Sequence, residues 1–126
     1  MMQENVLVVD DHPEIRDLMV KILERRGYRV STASDGHDAL TQFALARPDL
    51  VITDLFMPEK DGVEVVRTLI KHDPDVKIFA MSGGDSAGGR KDVLEVLEDF
   101  GVKKTFGKPF KIAEVLAAAK DILSSE

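Results

Sequence analysis

Three short apolar runs without a polar break, Val6-Leu7-Val8-Val9, Leu50-Val51-Ile52 and Ile78-Phe79-Ala80-Met81, limit the folds open to this chain more than any other feature. A strand with one wet face alternates apolar and polar residues. A continuous apolar run of strand length belongs instead to a strand buried on both faces, as in a parallel sheet covered by helices. Two more polar segments, Tyr28-Arg29-Val30-Ser31-Thr32 and Lys103-Lys104-Thr105-Phe106, suit the wetter edges of such a sheet. The covering helices are legible as well. Ile15, Leu18, Met19, Ile22 and Leu23 share one helical face, with Pro13 suited to the first turn and Gly27 to the stop. Val93, Val96, Leu97 and Phe100 form a second stripe, ended by Gly101, and Ile112, Val115, Leu116, Ala119, Ile122 and Leu123 form a third. Weaker helical patterns at 39–46 and 63–70 complete the series, and Pro48 and Pro74 fall just before the strands that follow them. The alternation βαβαβαβαβα predicts an α/β fold, a doubly wound five-stranded parallel sheet with helices on both faces. With the polar strands at the edges, the recurrent order 2-1-3-4-5 follows.

The 126 residues fit a single domain, 1–126. A net charge of −6, from 23 acidic and 17 basic residues, argues against nucleic-acid binding, which needs a basic face. The absence of cysteine removes disulfides, thiolate metal sites and a cysteine nucleophile. The first residues do not resemble a signal peptide and no apolar run is long enough to span a bilayer, so a cytoplasmic protein without membrane contact is expected. His12, His37 and His72 are scattered, and none pairs with another at metal-ligand spacing; His12, beside an acidic pair, is expected at the surface. Met19, Met57 and Met81 are expected to pack in the core or in loops.

In doubly wound sheets ligands bind beyond the carboxyl ends of the strands, where the winding reverses between the first strand and the third. Four predicted strands deliver a usable polar group to that edge: Asp10-Asp11, Asp54, Ser82, and Gly107-Lys108-Pro109. Taken singly, each has a bland explanation, since an Asp after a strand is usually a cap or turn residue and a lone Lys a solvated charge. Their joint placement is what points to chemistry. Three gathered carboxylates repel by roughly a few kcal/mol per pair at an effective dielectric near 20, and a cation relieves that repulsion. Ligation by carboxylates and water is how Mg²⁺ is commonly held, and Mg²⁺ in turn clamps phosphoryl groups. A carboxylate is also a competent nucleophile for an aspartyl-phosphate. Lys108 and the Ser82 hydroxyl would neutralise and hydrogen-bond the phosphoryl oxygens.

These residues, in this order, closely resemble the receiver family of two-component response regulators, whose fold is flavodoxin-like. The resemblance runs from Val6 to Leu123 and rests on Asp10-Asp11, Asp54-Leu55-Phe56-Met57-Pro58 with Asp61-Gly62, Ser82, and Lys108-Pro109-Phe110. It implies that Asp54 is the phosphoacceptor. It further implies that Asp11, Asp54 and the backbone carbonyl of Phe56 ligate Mg²⁺, with Asp10 helping through a water. Ser82 would be the switch hydroxyl, Lys108 would pair with the carboxylate or phosphate, and the Lys108–Pro109 bond would be cis. Three positions depart from the common pattern. Thr105 stands where many relatives carry an aromatic residue, the stretch from Ser82 to Lys108 is a few residues longer with Gly83, Gly84, Gly88 and Gly89 in it, and Phe56 and Gly84 flank the line of water attack. Coupling to output is therefore expected to run through the glycine-rich stretch and the helix predicted over 90–100.

The implied partners are a histidine kinase or histidine phosphotransfer protein upstream and a protein target downstream, with no nucleic acid and no membrane. The chain itself is expected to be a monomer. With no output domain after Glu126, it is expected to act as a stand-alone receiver, by protein–protein contact or as a phosphorelay intermediate. A haloacid-dehalogenase-like phosphatase is disfavoured because its second Asp, two residues after the nucleophile, is Phe56 here, so the chain is expected not to be an enzyme. A flavin carrier of similar topology would need a hydroxyl-rich, glycine-containing phosphate loop in place of Asp10-Asp11-His12-Pro13. The intact Asp54, Ser82 and Lys108 set argues against a receiver-shaped adaptor that makes no use of phosphate.

Overall fold

The central strand β1 (Asn5–Val9) lies between β2 (Arg29–Ala33) and β3 (Leu50–Asp54), and β4 (Ile78–Gly83) and β5 (Lys104–Lys108) continue the sheet beyond β3. A computed structural model describes residues 3–54, 62–83, 101–108 and 111–124. All neighbouring strands are parallel and the order is β2-β1-β3-β4-β5, as the polar edge strands predicted. Four helices are described: α1 (Pro13–Arg25), α2 (Gly36–Ala46), α3 (Gly62–His72) and α4 (Ile112–Ser124). The helix expected around Val93–Phe100 lies outside the described residues, as does Met57. Among the described residues no helix is long and apolar enough to cross a membrane.

The unbroken apolar runs have the expected cause. Successive strand residues point to opposite faces, and both faces here are covered. Leu7, Val9, Val51, Ile78 and Ala80 pack with Ala39 of α2 and with Val65, Val66 and Leu69 of α3. Val6, Val8, Leu50, Ile52, Phe79 and Met81 pack on the other side with Met19 and Leu23 of α1 and with Val115, Leu116, Ala119 and Leu123 of α4. Phe79 meets Phe106 of β5 edge-on, with ring centroids 5.6 Å apart.

Local signals set the helix ends. Pro13 opens α1 in its first turn. At the other end Gly27, with φ of +94°, allows its own N–H to reach Glu24 O and that of Tyr28 to reach Leu23 O, the paired bonds of a glycine-ended helix. Tyr28 is therefore spent on the helix stop, and β2 begins one residue later than the alternation suggested. Asp35 caps α2 by accepting the Asp38 N–H at 2.8 Å, and Arg47, in the left-handed region, ends it before Pro48. At the far edge Lys103 donates its N–H to Ile78 O, and pairing then continues to Gly83 opposite Lys108, so both last strands run further than their apolar cores.

One member of the predicted α1 stripe is misplaced. Leu18 is 54% exposed, whereas Met19 and Leu23 are buried. At about 100° per residue, Leu18 sits about 100–140° around the helix from those two, so the stripe is wider than the line that touches the sheet. Leu23→Ala is expected to destabilise the protein by about 2–5 kcal/mol, and Leu18→Ala by less than about 1 kcal/mol. Denaturant unfolding of the two variants beside the wild type checks the difference.

Candidate functional site

Register places the carboxylates. Val9 of β1 pairs with Thr53 of β3, so Asp10 and Asp54 are the next residues on adjacent strands, at the carboxyl edge of the sheet. Both are buried, Asp10 completely and Asp54 to 2% exposure. The Asp10 N–H donates to Ala33 O, which holds the β1 end against β2, and the Asp10 carbonyl accepts a hydrogen bond from Arg16 Nη1 at 2.9 Å. Asp10 Oδ1 also accepts the backbone N–H of His12 at 2.9 Å and lies 3.1 Å from His12 Nδ1. At the end of β3, Thr53 Oγ1 donates to the Asp54 carbonyl.

Asp11 is treated differently. Its Oδ1 is buried and makes no hydrogen bond among the described residues, although His12 Nδ1 is 3.2 Å away. A buried carboxylate oxygen without a donor is costly, and a cation is the natural compensation. One oxygen each from Asp10, Asp11 and Asp54 and a ring nitrogen of His12 all lie within 4.8 Å of one another. Ligands of an ion such as Mg²⁺ lie about 3 Å apart when adjacent and about 4.2 Å apart when opposite, so closure of no more than about 2 Å seats them, and the donor set fits a divalent cation.

The remaining predicted residues arrive by the same register. Asp54 pairs with Met81, which puts Ser82 one residue further along β4, opposite Gly107, and Lys108 ends β5 opposite Gly83. The backbone thus brings Asp10, Asp11, Asp54, Ser82 and Lys108 to one edge of the sheet. Phe56 and Pro109, and with them the third metal ligand and the cis bond implied by resemblance, lie outside the described residues. Thr105 pairs with Ala80 inside β5. His12 was expected at the surface. Its side chain is indeed 60% exposed, yet its ring nitrogen belongs to the carboxylate cluster. Its place directly after the acidic pair was the available signal.

Residues 6–120 match the model of the response regulator receiver domain. Over 123 residues the chain is 33% identical to sporulation initiation phosphotransferase F of Bacillus subtilis, covering 98% of this chain and 96% of that protein. It is 37% identical over 122 residues to the response regulator MprA of Mycolicibacterium vanbaalenii, covering 97% of this chain and about half of that protein, 51%. A response regulator receiver domain protein from Clostridium thermocellum superposes with a TM-score of 0.85 at 27% identity, covering 94% of this chain and 92% of the other. The chain belongs to the response regulator receiver family. It is a phosphoacceptor switch of two-component signalling, a class of domain phosphorylated by histidine kinases or phosphotransfer proteins.

Asp11→Ala removes the unbonded buried oxygen and one of the crowded charges. In metal-free buffer it is expected to melt at or above the wild-type temperature, by up to about 4 °C for about 1 kcal/mol. Calorimetry in chelator checks this; a clear drop would mean that Oδ1 has a stabilising partner.

Proposed function

We propose that Asp54 accepts the phosphoryl group, within a receiver domain spanning 1–126, and that Asp10, Asp11, Asp54 and the Phe56 carbonyl hold Mg²⁺. The observation that carries this is the burial of Asp54 at the end of β3, with oxygens of Asp10 and Asp11 within 4.8 Å of its own. An Asp54 carboxylate oxygen attacks phosphorus, forming an O–P bond as the bond from phosphorus to the donor's nitrogen or oxygen breaks. When bound, the metal supplies positive charge to the phosphoryl oxygens. Asp10 and Asp11 orient that charge, Lys108 adds a second cationic group, and the Ser82 hydroxyl donates a hydrogen bond to a phosphoryl oxygen.

The added group brings about −1.5 to −2 charges to the sheet edge. Ser82 and Lys108 respond, and β5 and α4, with the helix expected from the sequence over 90–100, change their affinity for a protein target. Thr105 is too small to fill the space that an aromatic residue fills in many relatives. The chain turns over no separate substrate, since Phe56 occupies the position where phosphatases that form an aspartyl-phosphate carry a second acid. It works in the cytoplasm as a monomer, takes its phosphoryl group from a histidine kinase or histidine phosphotransfer protein, and contacts neither nucleic acid nor membrane. The net charge of −6 supports that last point.

Incubation with acetyl phosphate and Mg²⁺ is expected to add one phosphoryl group to the wild type and none to Asp54→Asn, because an amide is a poor nucleophile. Intact mass reads the outcome, and equal labelling of the variant would sink the assignment. The melting temperature is also expected to rise with Mg²⁺, since a ligand at one hundred times its dissociation constant stabilises by about 2.7 kcal/mol. Asp11→Ala should blunt that rise, and an undiminished response would refute the proposed ligation.

A further inference from the structure

The phosphoryl chemistry above makes no use of His12, although the imidazole is built into the cluster. His12 is the N-cap residue of α1, but its side chain makes no capping hydrogen bond. The ring instead turns back over the end of β1, with Nδ1 3.1 Å from Asp10 Oδ1 and 3.2 Å from Asp11 Oδ1. The second of these oxygens is the buried one that makes no hydrogen bond. With a ring nitrogen and three carboxylate oxygens mutually within 4.8 Å, the cluster offers mixed nitrogen and oxygen ligation. The ring is 60% exposed, so it can close on an ion without disturbing packed neighbours.

We propose that His12 is a nitrogen ligand of the divalent cation held by Asp10, Asp11 and Asp54, and that it shifts the site's preference from Mg²⁺ toward transition ions such as Mn²⁺ and Co²⁺. The inference rests on the cation site proposed above. Mg²⁺ is a hard ion that takes oxygen ligands and keeps its waters, whereas imidazole suits transition metals, whose affinity rises from Mn²⁺ to Co²⁺. The hydrogen bond to Asp10 and the bond to a metal are alternative uses of one atom. With its proton on Nδ1 the neutral ring donates to Asp10 Oδ1; with the proton on Nε2 it presents the Nδ1 lone pair to the ion. The bond from the His12 backbone N–H to Asp10 Oδ1, at 2.9 Å, holds the turn in place.

The test uses the full chain as wild type and as His12→Ala, a change that removes no helix cap. Each protein is titrated with Mg²⁺ and Co²⁺ by calorimetry, and the Mn²⁺ complexes are examined by electron spin-echo modulation, which detects an imidazole nitrogen bound directly to the ion. The expected result is nitrogen coupling in the wild type, its loss in His12→Ala, and a Co²⁺-to-Mg²⁺ affinity ratio about tenfold lower in the variant. The wild-type spectrum and ratio stand even if the variant folds poorly, and His12→Gln then replaces it. A wild type that binds these ions without imidazole coupling, or a variant with an unchanged ratio, overturns the role of His12 and leaves the carboxylate site standing. A wild type that binds no divalent cation overturns both.

Discussion

Burial of β1 and β3 on both faces is the constraint from which the site follows. Their side chains alternate between two apolar layers, one against α2 and α3 and the other against α1 and α4, so a polar residue inside either strand would need a partner in the core. Thr53, the polar residue inside β3, has one in the Asp54 carbonyl, and the charged side chains are deferred to the point where the strands emerge from the helical cover. Because Val9 and Thr53 are paired, both strands emerge at the same level, and Asp10 and Asp54 meet there. Strands lie about 4.8 Å apart, so two carboxylates at equivalent positions on neighbouring strands are already near the spacing of ligands on one ion. The acidic cluster is a product of the sheet's register.

The cluster is not symmetrical. Asp10 is completely buried and organised by donors, the backbone N–H and ring of His12. Asp11 stands partly in solvent, but one of its oxygens is buried without a hydrogen bond. The first residue is thereby held in one orientation, while the second retains an unmet demand for positive charge. Such a division suits reversible ion binding. A fully hydrogen-bonded trio would gain little from a cation, and three unbonded carboxylates would repel strongly at this spacing.

Ser82 and Lys108, proposed to meet the phosphoryl group, arrive on the opposite half of the sheet by the same means. Ser82 follows the residue paired with Asp54, and Lys108 closes the ladder one step further. Extension of β4 and β5 beyond their apolar segments lets a hydroxyl-bearing and a cationic residue reach the level of the carboxylates. Polar residues can continue the ladder there because its backbone bonds do not depend on side-chain character.

Much of this was legible in the sequence. Unbroken apolar runs demanded a two-sided parallel sheet, the polar strands belonged at its edges, and strand-end residues then converged on one edge, since period and polarity are local properties. Three matters needed the tertiary structure. Leu18 carries the same periodic signal as Leu23 and is exposed, because only the docking angle of α1 selects the part of its stripe that meets the sheet. Asp10 and Asp11 are adjacent and chemically identical, yet one is satisfied and the other is not, because hydrogen-bond partners depend on the turn that follows β1. His12 has no metal-ligand spacing to any other histidine, and its membership of the cluster comes from a ring turned toward carboxylates on two strands. Periodicity and composition determine which residues are buried and at which edge the polar groups collect. Orientation within that edge depends on contacts between segments distant in sequence, and only the folded chain decides it.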